Sequence, residues 1–178
     1  IKLFDKTQHQ AKTDGLTNLV NHRTFYETLE RELRRYQRYG GYLSVIMVDI
    51  DNLKPINDKF GHRAGDMAIK RVSRKINSCI RKIDTAARYG GDEFAIILPN
   101  TSLPEATIVA ERMVQEVSST PIMWERQQIR ISISIGVGQY DGETTPEEVT
   151  KHSDQALYAA KQAGKNTVKV FDMTKQTA

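Results

Sequence analysis

Two pairs of acidic residues stand where apolar runs of strand length end or begin. Asp49 and Asp51 lie at the end of the run 42–50, and Asp92 and Glu93 directly precede a second apolar run. Carboxylates that converge without cysteine or histidine form a hard-oxygen site, which suits magnesium rather than zinc. Such a site fits in-line attack on phosphorus, in which metal ions activate one oxygen and stabilise the leaving one. The alternative interpretation is that Asp49 and Asp51 merely end a strand.

The two glycines at 90–91 separate a strand-like run, 85–89, from the apolar run that follows Glu93. This pattern predicts a tight β-hairpin. Both glycines are expected at positive φ, which such a turn requires and which glycine adopts readily. Since adjacent strand residues point to opposite faces, Asp92 and Glu93 are expected to have different roles. For a Gly-Gly turn taken alone, an ordinary polar hairpin tip is an equally good interpretation.

Apolar periodicity predicts the elements that would position these acidic residues. The core order is strand, helix, hairpin, helix, strand, which predicts an α+β fold with a ferredoxin-like or polymerase-palm-like βαββαβ core. Helices would flank a central, mostly antiparallel sheet. This topology would place Asp49 and Asp51 near Asp92 and Glu93.

The boundaries of these elements follow from periodicity, capping boxes and glycines. A helix is predicted over 23–39 and a second over 66–83, while capping boxes at Ser102 and Thr145 each open a further helix. The strict alternation over 129–138 predicts a half-buried strand. The other predicted strands are 42–50, 85–89, 94–98 and, at an edge, 167–171.

Composition indicates one globular domain. Of the 178 residues, 39% are hydrophobic, which is enough for a single core. The net charge of +4 fits an anionic small ligand as well as nucleic acid. The one cysteine, Cys79, lies in an apolar helical stripe, so neither a disulfide framework nor a cysteine metal site is expected. The chain has no long apolar run and no signal peptide, and we therefore expect a cytoplasmic protein.

Three segments are predicted along the chain. Residues 1–12 form a linker or the end of a signalling helix, 13–173 form the folded domain, and 174–178 form a C-terminal tail. The start at Ile1 rather than methionine suggests a piece excised from a longer protein.

Several separated motifs resemble one family. The sequence RYGGDEF over 88–94 resembles the signature of the GGDEF domains, which are diguanylate cyclases, and the likeness extends from about Asp14 to Phe171. Further matching motifs are DIDNLKPIND over 49–58, RKID over 81–84 and DQALYAAKQAGKN over 154–166. The resemblance implies an enzyme that condenses two GTP into cyclic di-GMP and two pyrophosphates. It also implies a homodimer and, in the full-length protein, an N-terminal sensory or receiver domain. This domain would be cytoplasmic, or would be the cytoplasmic part of a membrane-bound sensor.

The resemblance also implies catalytic roles for individual residues. Asp49 and Glu93 would hold Mg²⁺ or Mn²⁺, with the carbonyl oxygen of Ile50 as a further ligand. Asp92 would be a metal ligand or the base for the attacking 3′-hydroxyl. Lys54 would lie against a phosphate as charge develops there. Asp92, Glu93 and Lys54 are thus the implied catalytic residues.

Substrate binding is implied for five more residues. Asn57 and Asp66 would read guanine, since an amide both donates and accepts while a carboxylate accepts from the base N–H groups. His62 would lie near the nucleotide, and Lys161 and Lys165 would reach the β- and γ-phosphates. The plainer interpretations are a helix N-cap for Asp66, a turn residue for His62 and a solvated helix face for the lysines.

Arg81 and Asp84 match the RxxD site at which the family binds its inhibitory product. An arginine fork suits phosphates and guanine edges, and Asp84 can accept from the base. The main alternative function is a module that binds GTP or cyclic di-GMP without turnover. A nucleic-acid-binding domain of this fold would need aromatic side chains for base stacking, but the strand runs here are aliphatic, so no nucleic-acid partner is expected.

Overall fold

The computed structural model of the chain describes residues 12–171, so the predicted linker, apart from Lys12, and the C-terminal tail lie outside the described residues. Five helices and seven strands are found within this range. The helices are α1 (His22–Tyr39), α2 (Leu53–Phe60), α3 (His62–Ser78), α4 (Leu103–Ser118) and α5 (Pro146–Gln162). The strands are β1 (Leu43–Ile50), β2 (Thr85–Arg88), β3 (Glu93–Pro99), β4 (Ile122–Trp124), β5 (Gln127–Ile129), β6 (Ile133–Gln139) and β7 (Val168–Val170).

The central sheet has the strand order β2-β3-β1-β6-β7. The pairs β2–β3, β3–β1 and β1–β6 are antiparallel, and only the edge pair β6–β7 is parallel. The strands β4 and β5 form a separate hairpin. The predicted α+β fold with a mostly antiparallel central sheet is therefore confirmed.

The strand β1 is buried along its whole length because helices cover both faces of the sheet. Ile46 and Val48 belong to the core beneath α3 and α4, whereas Val45 and Met47 belong to the core beneath α1 and α5. Asp49 follows the same alternation and shares the face of Val45 and Met47. The end of β1 therefore presents Asp49 on the side that α5 covers.

The strand β6 differs from its prediction. It covers Ile133–Gln139 and is buried on both faces, not half-exposed. Its small residues lie directly beneath α5: a Cβ added at Gly136 would lie 2.0 Å from the carbonyl oxygen of Ser153 and 2.1 Å from the amide nitrogen of Leu157. The small residues alternate with large ones because α5 packs closely against this face of β6, and not because the face is exposed to solvent.

Two helices also depart from the predicted boundaries. A helix, α2, occupies part of the segment between the predicted strand 42–50 and the predicted helix 66–83, and α3 begins at His62, four residues before the predicted start. Gly61, with a φ of 86°, separates α2 from α3 and allows the abrupt change of direction between them. The predicted N-cap interpretation of Asp66 is therefore wrong, since Asp66 lies inside α3. The predicted capping boxes at Ser102 and Thr145 are both confirmed.

The hairpin between β2 and β3 was predicted correctly, but its glycines do not have the expected conformation. Neither Gly90 nor Gly91 has a positive φ. The loop is longer than a two-residue turn, with Tyr89 and Gly90 both donating their N–H groups to the carbonyl oxygen of Glu93. A Cβ added at position 90 would lie 2.6 Å from Oε2 of Glu93, so a larger residue there would displace the Glu93 carboxylate.

Among the helices within residues 12–171, none has the length and apolar character that a bilayer crossing requires.

Candidate functional site

Asp49 and Glu93 are brought together by the register of the sheet. Asp49 near the end of β1 is the direct cross-strand partner of Glu93 at the start of β3. Burial is the main cause that raises the pKa of both carboxyls above the ordinary range, and repulsion from Asp92 adds to it. We call Asp49, Asp92 and Glu93 the acidic cluster. Its members lie where β1 ends and β3 begins, and each destabilises the charged form of the others.

The loop that carries Asp92 is fixed to its surroundings by backbone and side-chain hydrogen bonds. The Ile50 N–H donates to the carbonyl oxygen of Asp92 at 3.1 Å, which ties this loop to the end of β1. Arg88 donates to the carbonyl oxygen of Gly91 at 2.8 Å and forms an ion pair with Asp14 at 3.1 Å. The loop is thus held from both sides while Asp92 stays half-buried.

Tyr89, next in the chain to the two loop glycines, connects the loop to α1. Its hydroxyl lies 2.8 Å from that of Tyr26, and its ring packs edge-on against Phe25. Burial together with the Tyr26 hydrogen bond raises the pKa of the Tyr89 hydroxyl, so this group stays protonated. The side chains of α1 therefore help to determine where the acidic cluster lies.

Lys161, in the last turn of α5, donates a hydrogen bond to a carboxylate oxygen of Asp49. Burial lowers the pKa of Lys161, but this hydrogen bond and the surrounding carboxylates outweigh it and hold the pKa above its usual value. The ammonium group is therefore a fixed positive charge beside the acidic cluster.

These groups line a cleft of about 300 Å³ at the end of β1. Six residues predicted for the site lie in its lining, namely Asp49, Ile50, Lys54, Asp92, Lys161 and Lys165. Glu93 lies beside the cleft as the neighbour of Asp49 and Asp92. The lining of the cleft combines carboxylates with three cationic side chains, which suits a ligand that carries both a metal ion and phosphates.

The donor groups of the acidic cluster determine which metal ions it could bind. Within residues 12–171, no three His, Cys, Asp or Glu side chains already converge as a metal-binding group. The donors of the acidic cluster are nevertheless all carboxylates, which hard divalent cations prefer. Lys161 also demonstrates that a cation is accommodated beside Asp49. The cluster therefore fits a divalent cation in donor type and charge.

Asn57 lies in α2, His62 and Asp66 lie in α3, and all three are outside the lining of the cleft. The Oδ1 atom of Asn57 is buried and has no hydrogen-bond partner within the described residues. A Cβ at Gly65 would lie 1.8 Å from this atom, so glycine provides the space that the amide occupies. His62 and Asp66 are exposed on α3. The junction of α2 and α3 thus contains a buried acceptor without a partner among the described residues and, on α3, an exposed carboxylate.

Asp51 was expected to face the acidic cluster, and it does line the cleft. Its carboxylate is, however, already engaged by three donors: Ser132 Oγ at 2.7 Å, Ser134 Oγ at 2.6 Å and the Asn166 N–H at 3.0 Å. These bonds connect β1 with the start of β6 and with the turn after α5. Asp51 therefore has a different environment from Asp49.

Arg81 and Asp84 form a closed ion pair after α3. The guanidinium and the backbone N–H of Arg81 all donate to the Asp84 carboxylate, the shortest of these bonds being 2.7 Å. Arg81 also donates to Thr101 Oγ1 at 2.7 Å, which anchors the pair to the end of β3. The hydrogen bond and the charge of Asp84 raise the pKa of Arg81 despite partial burial. The Arg81 side chain is 55% exposed, whereas the Asp84 side chain is only 2% exposed.

Some residues of the site were missed by sequence reasoning. The partners of Asp51 are Ser132, Ser134 and the N–H of Asn166, and no local sequence pattern gives the register and the helix position that bring them to Asp51. The contact between Tyr26 and Tyr89 joins residues 63 positions apart and has no local sequence signal. Such contacts depend on how α1 lies against the sheet.

Comparison with known proteins gives a consistent result. Residues 11–167 match the family model described as "Diguanylate cyclase, GGDEF domain". The chain is 38% identical over 167 residues to diguanylate cyclase DgcP of Pseudomonas aeruginosa, a match that covers 94% of this chain and 25% of that protein. It is 41% identical over 160 residues to diguanylate cyclase A of Treponema denticola, covering 88% of this chain and 43% of that protein. The chain thus spans less than half the length of these curated relatives.

The fold is also similar to a solved structure, the GGDEF domain of DgcB from Caulobacter crescentus in complex with c-di-GMP. The TM-score is 0.89 at 33% identity, and the match covers 93% of this chain and 96% of that chain. The resemblance noted from the motifs is therefore confirmed. From the match over residues 11–167 and this likeness in structure, we conclude that the chain belongs to the GGDEF domain family of diguanylate cyclases.

Proposed function

We propose that this domain, predicted over 13–173, condenses two GTP molecules into cyclic di-GMP and two pyrophosphates. The observation that supports this most directly is the cleft of about 300 Å³, which is lined by both acidic and cationic side chains. The named diguanylate cyclases among its relatives support the same reaction. With GTP as its substrate, the domain would act in the cytoplasm.

The junction of α2 and α3 would bind the guanine base. The buried Oδ1 atom of Asn57 needs a donor, which the base N–H groups would supply. Asp66 would accept from the ring N1–H and the 2-amino group, while His62 would lie near the nucleotide. Adenine offers no matching donors to this carboxylate, so the pair would discriminate against ATP.

The cationic side chains of the cleft would bind the triphosphate. Lys161 and Lys165 would reach the β- and γ-phosphates from the end of α5, and Lys54 would lie against the phosphate at which charge develops. Lys161 would exchange its bond to Asp49 for contacts to phosphate once a metal ion neutralises that carboxylate.

The acidic cluster would hold Mg²⁺ or Mn²⁺ through Asp49, Asp92 and Glu93, with the carbonyl oxygen of Ile50 as a further ligand. A metal ion bound there would neutralise charge on the phosphates during the transfer. Asp92 would also be placed to accept the proton of the attacking hydroxyl. The burial that raises the pKa of Asp49 and Glu93 would favour occupation of this site by a cation.

The reaction would require two copies of the domain. Each copy would hold one GTP, and the 3′-oxygen of one nucleotide would form a bond to the α-phosphorus of the other while pyrophosphate leaves. Two such transfers close the ring, which calls for half-sites that face each other across a two-fold axis. The domain would be regulated by an N-terminal sensory or receiver domain, a proposal that fits the greater length of its relatives.

Arg81 and Asp84 would form an inhibitory product-binding site. The exposed guanidinium of Arg81 suits the phosphates of cyclic di-GMP, and Asp84 would accept from guanine. Binding would require the Asp84 carboxylate, now 2% exposed, to become accessible and to share its acceptors, since Arg81 already donates to both of its oxygens.

A direct test is incubation with GTP and Mg²⁺ at high protein concentration, with the nucleotides separated by chromatography and identified by mass. The matched control is the double variant Asp92→Ala/Glu93→Ala. Cyclic di-GMP from the parent and none from the control would support both the reaction and the acidic cluster. A silent parent would be fused to a dimerising coiled coil and assayed again, because a monomer cannot complete the site.

The alternative is a module that binds GTP or cyclic di-GMP without turnover. It predicts no product from the fused dimer and unimpaired cyclic di-GMP binding by the Asp92→Ala/Glu93→Ala variant, since Arg81 and Asp84 remain intact. Turnover by the parent would exclude this alternative.

A further inference from the structure

Three residues with left-handed backbone meet at the rim of the cleft. Asn52 has a φ of 55°, Lys165 of 65° and Asn166 of 48°. Asparagine tolerates this conformation, but a lysine rarely adopts it without support from its surroundings. Residues held in such conformations cluster at functional sites, where neighbouring structure determines them. The turn at 165–166 must therefore be held by specific contacts.

Asp51 supplies one of the contacts that hold this turn. Its carboxylate accepts the N–H of Asn166 at 3.0 Å, and the same oxygen accepts from Ser132 Oγ at 2.7 Å. The other oxygen accepts from Ser134 Oγ at 2.6 Å. Asp51 is only 5% exposed, so these donors replace the water that a carboxylate would otherwise bind. The end of β1 is in this way joined to the turn after α5.

The held turn directs Lys165 toward the cleft. Its backbone N–H donates to the carbonyl oxygen of Ala160 at 3.1 Å, and its Nζ atom donates to Asn52 Oδ1 at 2.6 Å. Both ends of Lys165 are thus fixed, and its ammonium group lies in the lining of the cleft. Without the bond from Asn166 to Asp51, the backbone at 165–166 would lose the one of these contacts that joins it to the end of β1.

We propose that Asp51 is a positioning residue: it holds the 165–166 turn so that Lys165 meets the triphosphate of the substrate. This role rests on the proposed function for the identity of the ligand, although the turn itself does not depend on it. Asp51 acts through Lys165 and does not bind the metal ion. The roles of Asp49 and Asp51, two residues apart in the same motif, are therefore distinct.

The test is a double-mutant cycle with Asp51→Ala, Lys165→Ala and both together, measuring the dissociation constants of GTP and GMP by calorimetry. Each single variant is expected to weaken GTP binding by about tenfold, the size of one lost contact to a charged group. The double variant is expected to be no weaker than Lys165→Ala alone, because both changes remove the same contact. GMP binding, which involves no β- or γ-phosphate, is expected to stay unchanged. Additive losses, or an equal loss for GMP, would overturn the proposal.

Asp51→Asn separates positioning from metal binding. The asparagine oxygen can still accept from Asn166 and Ser132 while its NH₂ group donates to Ser134 Oγ, so this variant is expected to retain most of the GTP affinity. A metal ligand would lose its function in both variants, because the negative charge is gone in each. Loss of affinity in Asp51→Asn as large as in Asp51→Ala would therefore contradict the proposal.

Limited proteolysis tests the turn without any nucleotide, since trypsin cleaves after Lys165 where the backbone opens. Asp51→Ala is expected to be cut at this bond several times faster than the parent, and Asp51→Asn at nearly the parent rate. Equal rates in parent and Asp51→Ala would overturn the proposal.

If the parent binds no GTP, the proposed function fails and this assay alone decides on the turn. Where Asp51→Ala does not fold, Ser132→Ala, which removes one of the three bonds, replaces it in both assays.

Discussion

Asp49 and Glu93 face each other directly across the antiparallel pair of β1 and β3, two carboxylates where most cross-strand neighbours in this sheet are apolar. Like charges in such positions destabilise a sheet, and burial raises the pKa of both groups further. The fold therefore tolerates an unfavourable pair where the proposed chemistry needs negative charge. Strain of this kind is typical of functional sites and opposes stability.

Replacing Glu93 by glutamine is expected to stabilise the domain in the absence of metal ions. The change removes the charge that repels Asp49 and Asp92 but keeps the shape of the side chain. Because Glu93 is partly exposed and its interactions are screened, the gain should be modest, about 0.5 to 1 kcal/mol in the free energy of unfolding. Urea denaturation at neutral pH with a chelator would measure it.

The matched control for this variant is Glu111→Gln, which neutralises an exposed carboxylate on α4. It should leave the unfolding free energy nearly unchanged. A Glu93→Gln variant that is less stable than the parent would contradict the view that the acidic cluster is held against electrostatic repulsion.

Tyr26→Phe is expected to lower kcat of the proposed reaction severalfold with little change in KM for GTP. The variant removes the hydroxyl that lies 2.8 Å from that of Tyr89, so the loop carrying Asp92 is less firmly fixed, while the guanine and phosphate sites are untouched. The loss of this partly buried hydrogen bond should also cost about 1 kcal/mol of stability. Steady-state kinetics at temperatures well below the melting transition separates the two effects.

Tyr39→Phe makes the same chemical change at the other end of α1, on a side chain that is 74% exposed. Its kcat should match the parent. If Tyr26→Phe also matches the parent, the hydroxyl pair has no role in placing the loop.

Asp14 is expected to contribute stability that depends on pH. Burial raises its pKa, but hydrogen bonds from Thr17 and the Arg88 guanidinium outweigh this and hold the pKa below its ordinary value of 3.8. Its contribution is therefore fully present above pH 3.8 and is lost as the pH falls through the lower folded-state pKa. Asp14→Asn should cost about 1 to 2 kcal/mol at pH 7, by analogy with lost caps and charged hydrogen bonds.

Thermal unfolding of parent and Asp14→Asn between pH 7 and pH 3 would measure this difference. The two melting curves should converge toward the acidic end of the range. A gap that stays constant throughout would mean that the charge of Asp14 is unimportant and that only the geometry of its hydrogen bonds matters.

Gly136→Ala is expected to destabilise the domain by about 3 kcal/mol or more, or to prevent folding. The added Cβ would meet the backbone of α5 at 2.0 Å, and neither the strand nor the helix can move without disturbing the central core. Gly91→Ala is the matched control, since no atom lies within 4 Å of its added Cβ and its φ is not positive. Gly91→Ala should unfold like the parent, and equal loss in both variants would show that packing is not the cause.

The sequence predicted the fold well because the central elements carry strong local signals. The unbroken apolar run of β1 and the capping boxes at Ser102 and Thr145 led directly to their elements. Periodicity failed for β6, where Gly136 reads as polar alternation but is buried under α5. Solvent exposure and close packing by a helix select the same small residues, so the sequence alone does not distinguish them.

The candidate site was predictable to the extent that strand ends and turns determine it. The predicted topology correctly placed Asp49 near Asp92, since both residues line the cleft. The environment of Asp51 was not predictable, because its three donors come from β6 and from the turn after α5. Side-chain partners that depend on three separate elements require the register and the helix positions together, which local patterns do not contain.

Arg81→Ala is expected to weaken inhibition by cyclic di-GMP by about tenfold or more while leaving the initial rate of the proposed reaction unchanged. Arg81 lies outside the lining of the cleft, so its loss removes a contact to the product without altering substrate binding. Because Arg81 also bonds to Thr101 and Asp84, initial rates should be taken at a temperature at which circular dichroism shows the variant to be folded.

Lys82→Ala, an exposed cationic neighbour, serves as the control for general loss of positive charge and should remain inhibited like the parent. The informative measurement is the initial rate against added cyclic di-GMP for all three proteins. Inhibition that persists in Arg81→Ala would mean that the product acts elsewhere, for example by competing with GTP in the cleft, and in that case inhibition should weaken as GTP is raised. Inhibition through Arg81 should instead be insensitive to GTP concentration, because the two sites are separate on the surface.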